Sequence, residues 1–444
     1  MKNIILIAID CARAEKTIMD LPHGNEWTRR SAPLPFLEQL RCQGVTWGQF
    51  HSVSSTTTPN FTSMLTGLLP VEHGIKEHSR YQLLPDVPTL AEILSRHGYY
   101  TYAEVSGPLI PETGLNRGFM HYHCRSKSEY LHKGFLPRMK QLFGQLQEPF
   151  FLLLHFWEAH QPYQNPAPFN ETAYGATPYD RALSFIDHFL FHFFNAVSLP
   201  NTSFIYTGDH GERLPEDYQL NRQLGGKEYL IAEAYREFVH GRSGSFDYDA
   251  WFEFVKARLG EDWARIYAHN FVGHGFHLTE ELIRVPLVIV DPDRCTPGSY
   301  NDELRSQIDL FPTILELAGI DSWQQYCPRA NSLFQPARAN TIYIEANGSG
   351  GKQFASRCYL RGAKTSQWKY WRLEAPGMEK KVLWNLESDP RETTNVVNEH
   401  PEVAEKLDAF VSEQLLNDRT GEVDLDSEEA AVIEERLRDL GYIE

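Results

Sequence analysis

Two segments constrain this chain more than any others: Asn3-Ile4-Ile5-Leu6-Ile7-Ala8-Ile9 and Phe150-Phe151-Leu152-Leu153-Leu154-His155-Phe156. Both are short and apolar almost throughout. They lack the polar–apolar alternation of a strand with one wet face. A strand buried on both faces fits, and such strands belong to parallel sheets covered by helices. Tyr99–Val105, Ser203–Thr207 and Val285–Val290 read as further strands. Between them lie helical patterns at Pro35–Gln43, Thr89–His97, Tyr179–Val197 and Ser306–Ala318, two of them stopped by Gly98 and Gly319. The alternation predicts an α/β fold, a mostly parallel sheet sandwiched by helices. Ligands of such sheets bind beyond the carboxyl ends of the strands.

The texture changes after about residue 340. IYIEA, SRCYLRG, KYWRL and KVLWNL predict a small antiparallel sheet, and charged helical sequence follows from Pro401. The expected organisation is an α/β unit over 1–340 and a C-terminal unit over 341–444. Residues 213–271, rich in charge and aromatics, read as a helical insert that could serve as a lid.

With 444 residues, 42% of them hydrophobic, the chain can bury a large core. A net charge of −17 argues against nucleic acid or an anionic membrane as partner. It leaves room for a small anionic substrate, because a bound cation reverses the field locally. No run reaches the ~18 apolar residues of a membrane helix. Asp10 interrupts the first apolar run, which therefore reads as a strand and not as a signal peptide. Six scattered cysteines without CxxC spacing read as free thiols in a reducing compartment. The expected location is the cytoplasm, so Asn60-Phe61-Thr62 carries no meaning as a glycosylation site.

Polar residues gather where these strands end. Asp10 closes the first. Thr207-Gly208-Asp209-His210-Gly211-Glu212 closes another, and a carboxylate beside an imidazole suits a hard or borderline metal. After the second apolar strand, alternation in an extended chain would put Glu158 and His160 on one side, with His155 left in the core. His274 lies between two glycines and is a better ligand candidate than His277. Thr56-Thr57-Thr58 precede a helical run; they are either an N-cap cluster or a hydroxyl held at a helix N-terminus against an anion. The set suits metal-assisted group transfer with a threonine nucleophile.

NIILIAIDCARAE, TTPNFTSMLTGLLPVEHG, HFWEAHQPY, YTGDHGE, GHGFHLTEELIRVPLVI and LWNLESDPRETTNV follow in the order of one family. By these motifs the chain resembles the alkaline phosphatase/sulfatase superfamily, and within it the sulfatase-like hydrolases. The resemblance implies Thr57 as nucleophile and Asp10, Asp209, His210 and the Thr57 hydroxyl as metal ligands. It places His160 and His274 at the transferred group or at a second metal. Arg13, Asn60 and Glu158 are expected to line the substrate. One or two divalent ions are implied; the donors favour Mn²⁺ or Zn²⁺, and Mg²⁺ and Ca²⁺ also fit.

The departures from the family pattern concern chemistry. Sulfatases use a formylglycine made from Cys or Ser, and Thr57 cannot become one because its β-carbon carries a methyl. Phe61 replaces the motif arginine, which removes a contact worth about 2–4 kcal/mol to a transition state. A second ion, or Arg222, Lys227 or Arg242 of the insert, could supply that charge. The expected activity is hydrolysis of a phosphate mono- or diester, or a sulfate ester, through a covalent Thr57 intermediate. Alternatives are an arylsulfatase-type hydrolase, a mutase or transferase, and an inactive relative that binds an anion or a partner.

Overall fold

The computed structural model describes residues 1–18, 30–77, 81–214, 234, 237, 238, 248–260, 274, 275, 277–347, 359–375, 378–423, 433 and 435. Its strands are β1 (Asn3–Ile9), β2 (Val45–Trp47), β3 (Phe50–His51), β4 (Tyr100–Val105), β5 (His121–Cys124), β6 (Phe150–Phe156) and β7 (Thr202–Gly208). There follow β8 (Leu287–Val290), β9 (Ser299–Asn301), β10 (Arg305–Ser306), β11 (Ile342–Ala346), β12 (Tyr359–Lys364), β13 (Trp368–Ala375) and β14 (Met378–Asn385).

The main sheet runs β5-β4-β6-β1-β7-β8-β2-β9. From β5 to β7 every pairing is parallel. β8 is antiparallel to both β7 and β2, so the VPLVIV strand begins two residues late and reverses the local direction. The two apolar strands lie side by side in the centre, Ile4 opposite Phe151 and Ile9 opposite Phe156. Their side chains alternate between two apolar clusters: Ile4, Leu6, Phe151 and Leu153 enter one, Ile5, Ile7, Leu152 and Leu154 the other. Each cluster is a helix-covered face, which explains why both strands are apolar from Ile4 to Ile9 and from Phe150 to Leu154.

The helix Pro35–Gln43 forms as expected, and Asp187 of the long helix Pro178–Asn195 accepts the backbone N–H groups of Phe36 and Leu37 at its first turn. The segment Ser306–Ala318 opens as a 3₁₀ turn, Gln307–Asp309, before the helix Leu310–Leu317. β11 to β14 form a four-stranded antiparallel sheet, followed by the helix Pro401–Gln414. Tyr343, Ala363, Tyr370 and Leu407 share an apolar cluster with Phe311 and Leu315, so this sheet packs onto the main core. Within 213–271 the helix Tyr248–Leu259 is described. Most of the remaining insert, including Arg222, Lys227 and Arg242, and most of the chain after Val423 lie outside the described residues.

Candidate active site

The strand order brings the candidate residues to one edge. β1 ends at Asp10, and β7, its parallel neighbour with Ile9 opposite Gly208, runs into Asp209-His210. β6, on the other side of β1, runs into the segment carrying His160. The helix Thr57–Thr66 packs Phe61, Met64 and Leu65 into the core beneath, and Gly67 ends it with φ 70°.

The threonine triplet opens this helix, and its three hydroxyls have different surroundings. Thr56 is the N-cap residue, yet no side chain caps the helix. Thr57 is fully buried, and its Oγ1 lies 3.1 Å from His210 Nε2. Thr58 Oγ1 has no hydrogen-bond partner among the described residues. The middle hydroxyl thus lies beside His210, in the first turn of the helix.

Asp10, Asp209 and His210 are fully buried, and one donor atom from each lies within 4.8 Å of the others. His210 Nε2 is 3.6 Å from Asp10 Oδ1 and 3.4 Å from Asp209 Oδ2. His210 Nδ1 donates to the Gly211 carbonyl at 2.8 Å, so Nε2 is the lone-pair nitrogen. Burial lowers that imidazole to about pKa 4 and keeps it neutral. Burial first, and the charge of Asp209 second, push the Asp10 carboxyl well above the ordinary range. Asp10 Oδ2 and Asp209 Oδ2 are buried without a hydrogen-bond partner among the described residues. Two orphaned carboxylate oxygens beside a neutral imidazole and a hydroxyl are the donor set of a divalent cation, so these residues fit the metal that the motifs imply.

Residues without an assigned role in the sequence hold this set in place. Gln307 Nε2 donates to the carbonyls of Gly208 at 2.9 Å and Asp209 at 2.6 Å. Gly211 N donates to Leu282 O, and a Cβ at Gly211 would sit 1.9 Å from the Glu281 carbonyl. His155, read as a core histidine, is fully buried with Nε2 3.8 Å from Asp10 Oδ2. Cys11 takes φ 61°, fixed by Tyr179 Oη donating to its carbonyl at 2.6 Å and by its own N–H donating to Asp209 at 3.2 Å. The sequence carried one signal for Cys11, its position next to Asp10.

Three expected substrate contacts have other partners. Both ends of the Asn60 carboxamide bond the Ser54 backbone, accepting from N–H and donating to C=O at 2.8 Å each. Asn60 thus ties the loop that enters the nucleophile helix. Glu158 is fully buried against Arg125, 3.0 Å away, and accepts from Leu131 N–H at 3.1 Å. The chain after β6 turns instead of staying extended, with His160 N donating to Trp157 O at 2.8 Å. That turn separates the two side chains that alternation would have put together. His160 stacks on Trp157 and meets the ring of His274 at 5.0 Å. Arg13 is buried; its guanidinium bonds the Glu212 carbonyl at 3.2 Å and pairs with Glu15. His274 reaches the site, 4.2 Å from His210 between ring centres. His277 packs instead against Trp371 and Trp384.

The sulfatase family model matches residues 2–320. The chain belongs to the sulfatase family. Membership places it among ester hydrolases. A second model, described as the C-terminal part of N-sulphoglucosamine sulphohydrolase, matches residues 269–420 of this sulfatase-family chain. Arylsulfatase K of Rattus norvegicus is 21% identical over 464 residues, covering 91% of this chain and 76% of that protein. Arylsulfatase A of Bos taurus is 35% identical over 106 residues, covering 22% of this chain and 19% of that protein. Among solved structures, the phosphonate monoester hydrolase of Agrobacterium radiobacter aligns with TM-score 0.66 at 15% identity, covering 94% of this chain and 96% of that one. A structure in complex with its substrate D-glucosamine-2-N,6-O-disulfate aligns at 0.65 and 14% identity, covering 95% and 100%. At these identities the structural likeness is one of fold.

Proposed function

We propose that this sulfatase-family chain hydrolyses phosphate or phosphonate esters through Thr57. The observation that carries the reading is the Thr57 hydroxyl, buried at a helix N-terminus and 3.1 Å from His210 Nε2. A divalent cation on Asp10, Asp209, His210 and Thr57 Oγ1, with Mn²⁺ or Zn²⁺ favoured by the donors, would lower the hydroxyl pKa and neutralise charge on the transferred group. Thr57 Oγ1 gives up its proton to solvent and forms the bond to phosphorus in line with the ester oxygen that leaves. The leaving oxygen takes its proton from a rim histidine in its doubly protonated, imidazolium form. His160 suits this role: Nδ1 donates to the Gln161 carbonyl at 2.6 Å, which makes Nε2 the atom that exchanges protons with substrate. Water then attacks the phosphorus of the Thr57 ester from the vacated side, its proton recharging His160, and Thr57 Oγ1 leaves and takes a proton from solvent to restore the hydroxyl.

Phosphorus is preferred to sulfur because a threonine ester cannot collapse through the geminal diol of a formylglycine. The arylsulfatase relatives favour a second reading, a sulfate ester as substrate. We also propose a reducing compartment, the cytoplasm, as its location; Cys11, Cys42, Cys295 and Cys327 are free thiols among the described residues, which supports it.

The test is a p-nitrophenyl panel of phosphate, phenylphosphonate, phosphodiester and sulfate on metal-stripped protein with Mn²⁺, Zn²⁺, Mg²⁺ or Ca²⁺ restored. Cleavage of a phosphorus ester that Thr57→Ala abolishes is the expected result. Wild-type turnover in Thr57→Ala refutes the nucleophile, and preference for sulfate refutes the argument from formylglycine.

A further inference from the structure

Beside the Asp10–Asp209–His210 set lies a second group of donors. Cys11 Sγ and one ring nitrogen each of His210 and His274 lie within 4.8 Å of one another. Cys11 Sγ is 3.7 Å from His274 Nδ1, and Glu212 Oε2 is 3.0 Å from the same nitrogen. The Cys11 thiol also interacts with the Glu212 carboxylate. Tetrahedral zinc with bonds of about 2.0–2.3 Å sets its donors about 3.3–3.8 Å apart, so these atoms need to move only by tenths of an ångström. Cys11 and Glu212 are buried, and the His274 side chain is 10% exposed, so one flank of the group opens outward.

Charge gives an independent reason. The site holds three buried carboxylates, Asp10, Asp209 and Glu212, while the motif arginine is Phe61 and the guanidinium of Arg13 pairs with Glu15 and the Glu212 carbonyl. One divalent ion offsets less than the three carboxylates, and an anionic ester would still meet a negative pocket.

The geometry points to a second cation site in which Cys11 Sγ, Glu212 Oε2 and His274 Nδ1 hold a thiophilic transition-metal ion, Zn²⁺ by preference, with the fourth position open to the ester oxygen. In the ion-free protein, hydrogens occupy that centre: the thiol donates to Asp10 at 3.1 Å and His274 Nδ1 faces Glu212. Binding releases those protons and adds positive charge to a pocket whose motif-arginine position is taken by the core residue Phe61. The inference deepens the proposed function and rests on it for its purpose, leaving His160 as the proton donor.

The test titrates the metal-stripped full chain with Co²⁺ and Zn²⁺ alone. The expected result is two equivalents per chain, a thiolate-to-cobalt charge-transfer band, and one sulfur scatterer at about 2.3 Å in zinc X-ray absorption. Cys11→Ser should lose the band and one equivalent; His274→Gln, which leaves the thiol in place, should weaken the same equivalent at least tenfold. Asp10→Asn should lose the other equivalent and keep the band. A single equivalent, or a band that survives Cys11→Ser, overturns the second site. Thr57→Ala separates the two readings: a dead variant without sulfur ligation keeps the proposed function and refutes only this inference.

Discussion

Replacing Asn60 by alanine separates a loop anchor from a substrate contact. Asn60 and Ser54 are fully buried, and the carboxamide satisfies both the N–H and the C=O of Ser54. Alanine orphans two buried backbone groups, at about 1–3 kcal/mol each. Movement of the loop recovers part of this, so the expected loss is about 3 kcal/mol. For 444 residues the unfolding entropy is about 0.9 kcal/mol/K, so the midpoint should fall by about 3 °C. Thr57 sits one helical turn before Asn60, and a displacement approaching 1 Å would lower kcat by up to about 10²-fold. KM should barely move, because the side chain does not face the ester. Calorimetry and steady-state kinetics on the best substrate of the panel read both. An unchanged midpoint with KM raised tenfold or more would refute the reasoning and return Asn60 to the substrate.

Gly211→Ala should cost several kcal/mol and most of the activity, since its Cβ would overlap the Glu281 carbonyl backbone and displace the Asp209-His210 turn; wild-type thermal stability would show that the turn yields freely. Burial raises the Asp187 carboxyl to about 7 against the N–H bonds from Phe36 and Leu37. A raised carboxyl pKa imposes a penalty that is absent below about pH 4 and complete above pH 7, so Asp187→Asn should gain on the wild type by up to about 4 kcal/mol across that window. Denaturant titrations at pH 5 and 8 read this, and a constant difference would disprove it. Chelation should abolish turnover and lower the melting temperature; at an ion concentration of a hundred times Kd, about 2.7 kcal/mol is lost, or about 3 °C for this length. Full activity in the stripped protein would remove the metal from the mechanism.

The motifs proposed to carry chemistry were local and therefore visible. Asp10, Thr57 and Asp209-His210 each follow a strand or open a helix, and period and punctuation locate those ends without any partner. The two apolar strands declared a sheet buried on both faces for the same reason: burial on two sides leaves no polar alternation. Strand order is different, because pairing joins residues as distant as Ile9, Phe156 and Gly208, and no local pattern specifies it. The fates of Glu158 and Arg13 also depended on partners far from them, Arg125 and the Glu212 carbonyl, and that of Asn60 on a loop that folds Ser54 back against it. Alternation assumed a straight chain after β6; the hydrogen bond from His160 to Trp157 bends it and sends Glu158 to Arg125. The sequence by itself thus determined the α/β class and the edge where chemistry sits, since both follow from short-range hydrophobic pattern. Only the tertiary structure decided which polar side chains face that edge and which anchor the loops behind it, because a buried polar group points to whichever distant partner satisfies it.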